Sequence, residues 1–457
     1  MSQDINVLIS QKDENGNYKY FYPFTYAENV LMDDGTDITD TISDIYADIY
    51  DKMSYLESIK EGKIYGMRID GNESDPSNMI TYLADAARMV PAYMDYNTGK
   101  FNYGSWGDVL KDIKPVVLNS DGTVYCYIDK DDFTKDVNGN DISNIINGTN
   151  DFNQNVMVEF SKFWIKIIPF NNGKSAYVYI ADYQVNKTYK DYAYIDYTGN
   201  HKDNFYMPCY NGSLINNVMR SLSGKQVSGK LSGGGEINAC TANGNGWYTE
   251  DAGEVMLINF LLMLIGKSTD TQTVFGQGLH SGGSDNTIKA FRTGVHNDKG
   301  MFYGTNSGAT TSTYTNAVKI FGIENWWGFQ WRRYAGDIND KGTRKIKLCW
   351  GTEDGSTETN FNTTGAGYID IGATPSGNDS GYISEMKFTE NGMYSKVSSG
   401  SSSTYYCDGQ WFNNSQVEYA LRGGSAEYGL HVGALFVGLY YTFSSSGWNR
   451  GVAISYK

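Results

Sequence analysis

The most regular pattern of apolar and polar positions lies in residues 37–61. Ile38, Ile42, Ile45, Ile49, Lys52, Leu56 and Ile59 follow alternating steps of four and three. That spacing predicts an a/d seam of about three heptads, with Lys52 its one polar member. Asp44, Asp48, Asp51, Glu57, Lys60 and Glu61 fall on the outward positions, as a solvated face requires. Isoleucine at both a and d favours three or more strands over two, so a parallel homotrimer is expected. Asp37 or Thr39 can cap the start, and Gly62 ends the helix.

Elsewhere the chain consists of short Tyr-, Val- and Ile-rich runs punctuated by Gly, Asn and Ser. The expected fold class is therefore α+β and β-rich. Residues 5–24 predict a hairpin: INVLIS, a DENGN turn, then YKYFYPF. IYGMRI at 64–69 predicts a strand, and the stretch from Met79 to Met89 a short helix. VMVEFSKFWIKI predicts a strand. In EVMLINFLLMLIGK, Val255, Leu257, Ile258, Leu261, Leu262, Leu264 and Ile265 surround the axis, which predicts a buried helix. The run GGGE at 233–236 predicts a flexible loop. In FGIENWWGFQWRRYAGDIND, Trp326, Trp327 and Trp331 predict a core strand rather than a sugar-stacking platform.

The last stretch, 421–457, interleaves two kinds of residue. Val432, Val437, Leu439, Val452 and Ile454, with Gly423, Gly424, Gly429 and Gly433, suit buried strands and tight turns. Glu427, Tyr428, His431, Phe436, Tyr440, Tyr441, Ser445, Asn449 and Arg450 suit a binding surface. Tyrosine gives contact area at low entropic cost, and Ser and Asn give adaptable hydrogen bonds. Alternation along strands predicts that the first set is buried and the second gathers on one exposed face.

LRGGS at 421–425, followed by GLHVGALFVGLYYTFSSSGWNRGV, resembles the variable region of proteins diversified by bacterial and phage retroelements. The asparagines of the undiversified template of that family fall here on Glu427, Tyr428, His431, Gly438, Tyr440, Tyr441, Ser445 and Gly447. Ala426 stands where the template commonly has Trp, and Ala453 where Arg is common. GIEN-x-WG-x-x-W resembles the central signature of the same family, and VMVEFSKFWIK one of its strands. Residues 20–42 and 63–128 resemble segments of phage and prophage tail proteins. The resemblance implies a C-type-lectin-like domain used as a binding surface. The implied organisation is an attachment segment over 1–36, a coiled-coil neck over 37–62, a small β-rich domain over 63–150 and a C-type-lectin-like domain over 151–457. The implied function is a phage tail receptor-binding protein. It would be made in the bacterial cytoplasm and carried in the virion, joined through its N-terminus to other tail proteins, and would meet a host-cell surface protein or glycan. The alternatives are a structural tail or baseplate protein, and a tail-borne glycan depolymerase.

Composition narrows the chemistry. The 457 residues include 37 Tyr and 52 Gly and carry a formal charge of −15, which opposes a nucleic-acid partner. No run of about 18 apolar residues predicts membrane insertion. Cys126, Cys209, Cys240, Cys349 and Cys407 are widely spaced, so reduced structural cysteines are expected. His201, His280, His296 and His431 form no metal-ligand spacing, and no GxSxG elbow or P-loop occurs. The sequence also has no EPN, QPD or WND tripeptide of the calcium-dependent lectins. No enzyme activity, cofactor or metal is expected.

Overall fold

The computed structural model describes residues 9–12, 18–21, 46–47, 62–149, 153–375 and 380–457. Contacts divide the chain into two units, 1–53 and 54–457.

In the first unit Ile9–Lys12 and Tyr18–Phe21 pair antiparallel, Ile9 opposite Phe21 and Lys12 opposite Tyr18. These two strands fall within the hairpin expected over residues 5–24; the residues between them lie outside the described ones. Of the heptad stretch, Tyr46 and Ala47 are described, both helical. The rest of the seam lies outside the described residues.

The second unit is β-rich with few helices. A four-stranded antiparallel sheet runs Trp164–Phe170, Ser175–Ala181, Ile64–Ile69, Ile80–Ala84. A six-stranded sheet runs Trp247–Thr249, Ile454–Tyr456, Asn204–Pro208, Asn155–Ser161, Lys114–Leu118, Val124–Tyr127. Asn155–Ser161 is buried along nearly its whole length because it has a strand on either side and elements on both faces. Strands from either side of residue 150 pair in both sheets: Ile64–Ile69 with Ser175–Ala181, and Lys114–Leu118 with Asn155–Ser161. The segment before 150 is thus woven into the fold that follows it.

Two local expectations are corrected. Residues 80–84 form a strand, not a helix. Ile80 and Tyr82 are buried and Thr81 between them is exposed, a period of two that pairing with Ile64–Ile69 selects. Residues 233–236 are not a loop. They open the helix Gly233–Thr241, where the Ser232 hydroxyl caps the Gly235 N–H.

The helix Ala252–Gly266 is the centre of the core. Asp251 caps it, and Glu254 closes a reciprocal capping box. Every residue but Met256 is buried, as its all-round apolar sequence requires.

Candidate ligand-binding surface

An eight-stranded sheet carries the C-terminal stretch. Its organiser is Trp331–Asp340, a strand that changes partners midway. Trp331–Arg333 lies parallel to Arg450–Val452 on one side, with Leu421 and Arg422 antiparallel on the other. After a bulge, Asp337–Asp340 pairs with Val417–Tyr419 and Thr343–Ile346. The bulge turns the strand, so its first half splays away from the rest of the sheet. Residues 422–450 are suspended from that first half. Val437–Leu439 returns beside Leu421 and Arg422, and Gly409–Phe412 joins it in parallel.

The scaffold half of the stretch is buried as expected: Val432, Val437, Leu439, Val452 and Ile454 are all core. Trp326, Trp327 and Trp331 are buried too. Trp331 opens the strand, while Trp326 and Trp327 sit in the bend before it. Trp448 is half-buried against a cluster containing Val227, Phe291 and Phe329. Ala426 is wholly buried under the loop at Gly283, where a Cβ would come within 2.5 Å of the Ala426 Cβ. A tryptophan there would have to displace that loop.

The other set divides. Glu427 and Tyr440 are exposed, and Tyr428, His431, Tyr441, Ser445, Asn449 and Arg450 are partly exposed. Phe436, expected on the surface, is 1% exposed and belongs to the core. The turn from Gly433 to Phe436 sends its ring inward between Gly409 and Gly424, at either of which a Cβ would lie 2.7 Å from it. Gly438 is likewise interior, with its Cβ direction 3.2 Å from the Trp331 ring.

Two groups of rings stand on this base. In the first, Tyr428 meets Trp331 edge-on at 5.3 Å between centroids and Trp411 at 5.4 Å. His431 stacks on Tyr382 at 4.0 Å and 13° and lies 5.9 Å from Trp411. In the second, Tyr440 meets Tyr441 edge-on at 5.3 Å, and the Arg450 guanidinium lies 3.9 Å over the Tyr441 ring. At the margin Asn449 Nδ2 donates to Glu427 Oε2 at 2.9 Å. Ser445 contributes its carbonyl rather than its side chain, accepting from buried Arg333 at 2.9 Å. Trp411 and Tyr382 lie outside 421–457, the stretch in which the sequence pattern places the binding residues. In the run Gly-Gln-Trp-Phe at 409–412 a large aromatic follows a polar residue and precedes an apolar one, which is the one mark of the first in the sequence. Tyr382 carries no such mark.

Buried polar groups fix the loop that presents these rings. Gln272 donates to the carbonyl of Leu430 at 2.9 Å and also to that of Val432. Asn259 donates to Ala434 O at 2.9 Å and accepts from Trp326 Nε1 at 3.1 Å. Asp408 accepts from the Leu435 N–H at 2.7 Å, and burial holds its carboxyl well above the usual range. Burial lowers the His431 pKa, which favours the neutral ring. Burial, then Tyr441, push the Tyr428 hydroxyl up to about 12. The surface is therefore aromatic and largely uncharged, with Arg450 and Glu427 at its edge.

Rings whose centroids are 4–6 Å apart are in contact with one another, so they form a platform and leave no slot between them. A cavity of about 70 Å³ lies behind the platform, lined in part by Asn259, Tyr334, Asp337, Arg344 and Arg422. It is far smaller than the roughly 300 Å³ of a small-molecule site. Among the described residues no group of three or more His, Cys, Asp or Glu is arranged to hold a metal ion. The five cysteines are free. No described helix is long and apolar enough to cross a membrane. No family model matches the chain, and no curated protein matches it.

Proposed function

We propose that the protein is a phage tail receptor-binding protein. Its C-terminal region, a C-type-lectin-like fold over 151–457 to which strands from before residue 150 are paired, attaches to a protein or glycan on the host-cell surface. An attachment segment at 1–36 joins other tail proteins, and a coiled-coil neck at 37–62 makes a homotrimer whose avidity tolerates weak single sites. The observation that carries this reading is the platform of Tyr382, Trp411, Tyr428 and His431, adjoined by Tyr440, Tyr441 and Arg450. Contiguous half-exposed aromatics are uncommon on a soluble protein without a partner. Tyr, Trp and Arg also dominate binding energy where interfaces have been dissected.

The test is adsorption to host cells. Tyr428→Ser, Tyr440→Ser and Tyr441→Ser together should abolish it. Tyr440→Ser alone should weaken it with stability changed by less than about 0.5 kcal/mol, since that side chain stands out in solvent. Tyr428 packs on Trp331, so its removal carries a stability loss that Tyr440 does not. Val437→Ser should do the reverse and destabilise the domain by about 1–3 kcal/mol. Unchanged adsorption by the folded triple variant would place the binding face elsewhere.

A further inference from the structure

Asp251 and Glu254 open the core helix, and a lysine from 206 residues away lies against them. Trp247–Thr249 pairs antiparallel with Ile454–Tyr456, which brings residue 457 back beside the approach to the helix. Lys457 Nζ sits 2.5 Å from Asp251 Oδ2 and 3.5 Å from Glu254 Oε1. The lysine, aspartate and glutamate side chains are 5%, 2% and 0% exposed. Glu250, just before them in the chain, is taken by Arg332 and Arg422.

As an ion pair this group is poorly served. An ammonium carries three donors, and among the described residues Lys457 Nζ makes one hydrogen bond, to Asp251. Glu254 Oε1 accepts none. Charges taken out of water are costly unless their polar atoms are matched. An amide between Nζ and the Asp251 Cγ removes both charges and leaves one N–H to satisfy. It also spares the cap. Asp251 Oδ1 accepts from the Glu254 N–H at 3.1 Å, and the Asp251 N–H donates to Glu254 Oε2 at 2.9 Å. An amide carbonyl at Oδ1 accepts that same bond. We propose that Lys457 and Asp251 join in an intramolecular isopeptide bond, with Glu254 as the proton carrier. The inference does not depend on what the aromatic platform binds.

The reaction balances without a co-reactant. Asp251 and Glu254 hold Lys457 charged at rest, so the first step passes one Nζ proton across the 2.5 Å contact to Oδ2. An amine then faces a carboxylic acid whose Cγ lies one covalent bond beyond Oδ2. The Nζ lone pair forms the new bond to Cγ. Negative charge developing on Oδ1 meets the Glu254 N–H at the helix N-terminus. Glu254 Oε1 takes a second Nζ proton and a proton passes to the Oδ2 hydroxyl. The Cγ–Oδ2 bond breaks, one water leaves, and Glu254 ends as it began. Burial, then Asp251, push Glu254 up to about 8. A pKa close to the working pH suits a group that must both take and return a proton.

The bond has a structural consequence. The residues of the platform, from Tyr382 to Arg450, all lie between 251 and 457. Joining the two side chains closes that segment into a covalent loop. Tension on the platform is then not borne by the three-residue strand Ile454–Tyr456 alone.

Mass spectrometry of the denatured full-length protein is the test. The expected mass is about 18 Da below that of the unlinked chain, one water having left. Digestion should release a joined peptide that holds both Asp251 and Lys457. Lys457→Arg keeps the positive charge but supplies no amine, so it should show the full mass of its own sequence. Glu254→Gln keeps the capping box. It should fold with the circular dichroism of the parent and yet remain unlinked. A folded parent at full mass overturns the proposal. So does a water loss that maps to a peptide without Lys457, which would mean a succinimide elsewhere. Linkage in Glu254→Gln as complete as in the parent would overturn the part given to Glu254.

Discussion

Arg422 and Glu250 form an ion pair with both side chains out of solvent, 3% and 0% exposed. Arg422 Nε donates to Glu250 Oε2 at 2.7 Å, and the other carboxylate oxygen accepts from Arg332 at 3.2 Å. Arg422 also covers the Trp326 ring at 3.5 Å and donates to the Trp326 carbonyl at 2.7 Å. One residue of the LRGGS motif therefore ties the presenting loop to the tryptophan bend and to the residues just before the core helix.

Removing one partner strands the other. Glu250→Gln removes the one carboxylate paired directly with both buried guanidiniums and should destabilise the domain by about 3–5 kcal/mol in chemical denaturation. Loss of less than about 1 kcal/mol would show that solvent reaches this pair.

Glu418 offers a pH test. It is 0% exposed, and burial pushes its pKa up to about 7 against the opposing pull of the Gln416 side chain. An acid whose pKa is higher folded than unfolded binds more protons in the folded state. Stability then falls as pH rises from the unfolded value of about 4.3 to the folded one, and is level above it. Glu418→Gln should remove that slope, so its stability relative to the parent should grow between pH 5 and pH 7. A constant difference across that range would mean that Glu418 is not held above its normal pKa.

His201 has the opposite sign. Burial disfavours its charged ring, but Asp191 on Nδ1 and Glu353 on Nε2, each at 2.8 Å, raise its pKa overall. The stability from these bonds is fully present below the unfolded histidine value. It is lost as pH climbs from about 6.5 through the raised folded value. His201→Gln should flatten melting temperature against pH in that window, while Lys162 continues to hold Asp191 at 2.9 Å. An identical profile for parent and variant would exclude the bridge.

The neck is tested by charge. Ile42→Asp with Ile49→Asp places unpaired carboxylates in the expected seam, at several kcal/mol on the order known for buried charge. Sedimentation should report trimers for the parent and monomers for the variant. A monomeric parent at micromolar concentration would remove the neck from the proposal.

The sequence by itself determined what depends on neighbours along the chain. The pairing of Ile9–Lys12 with Tyr18–Phe21 falls where the alternating apolar runs placed it, and the core helix at 252–266 follows from its all-round apolar composition and its capping pair. The burial of Val432, Val437, Leu439, Val452 and Ile454 follows from a scaffold of apolar residues and glycines. Tertiary structure decided what depends on distant partners. Residues 80–84 became a strand because Ile64–Ile69 stood beside them to supply hydrogen bonds. Phe436 went inward because two glycines far apart in sequence, Gly409 and Gly424, left room for its ring. Glu236 became the partner of Arg333 because the Ser232 cap turned a glycine run into a helix start. Tyr382 and Trp411 joined the surface through strand pairing with Gly409–Phe412 and Val437–Leu439. Periodicity and capping act over a few residues and are written locally. Which side chain meets which across a sheet is set by register and by the space distant residues leave, and exists only once the chain has closed on itself.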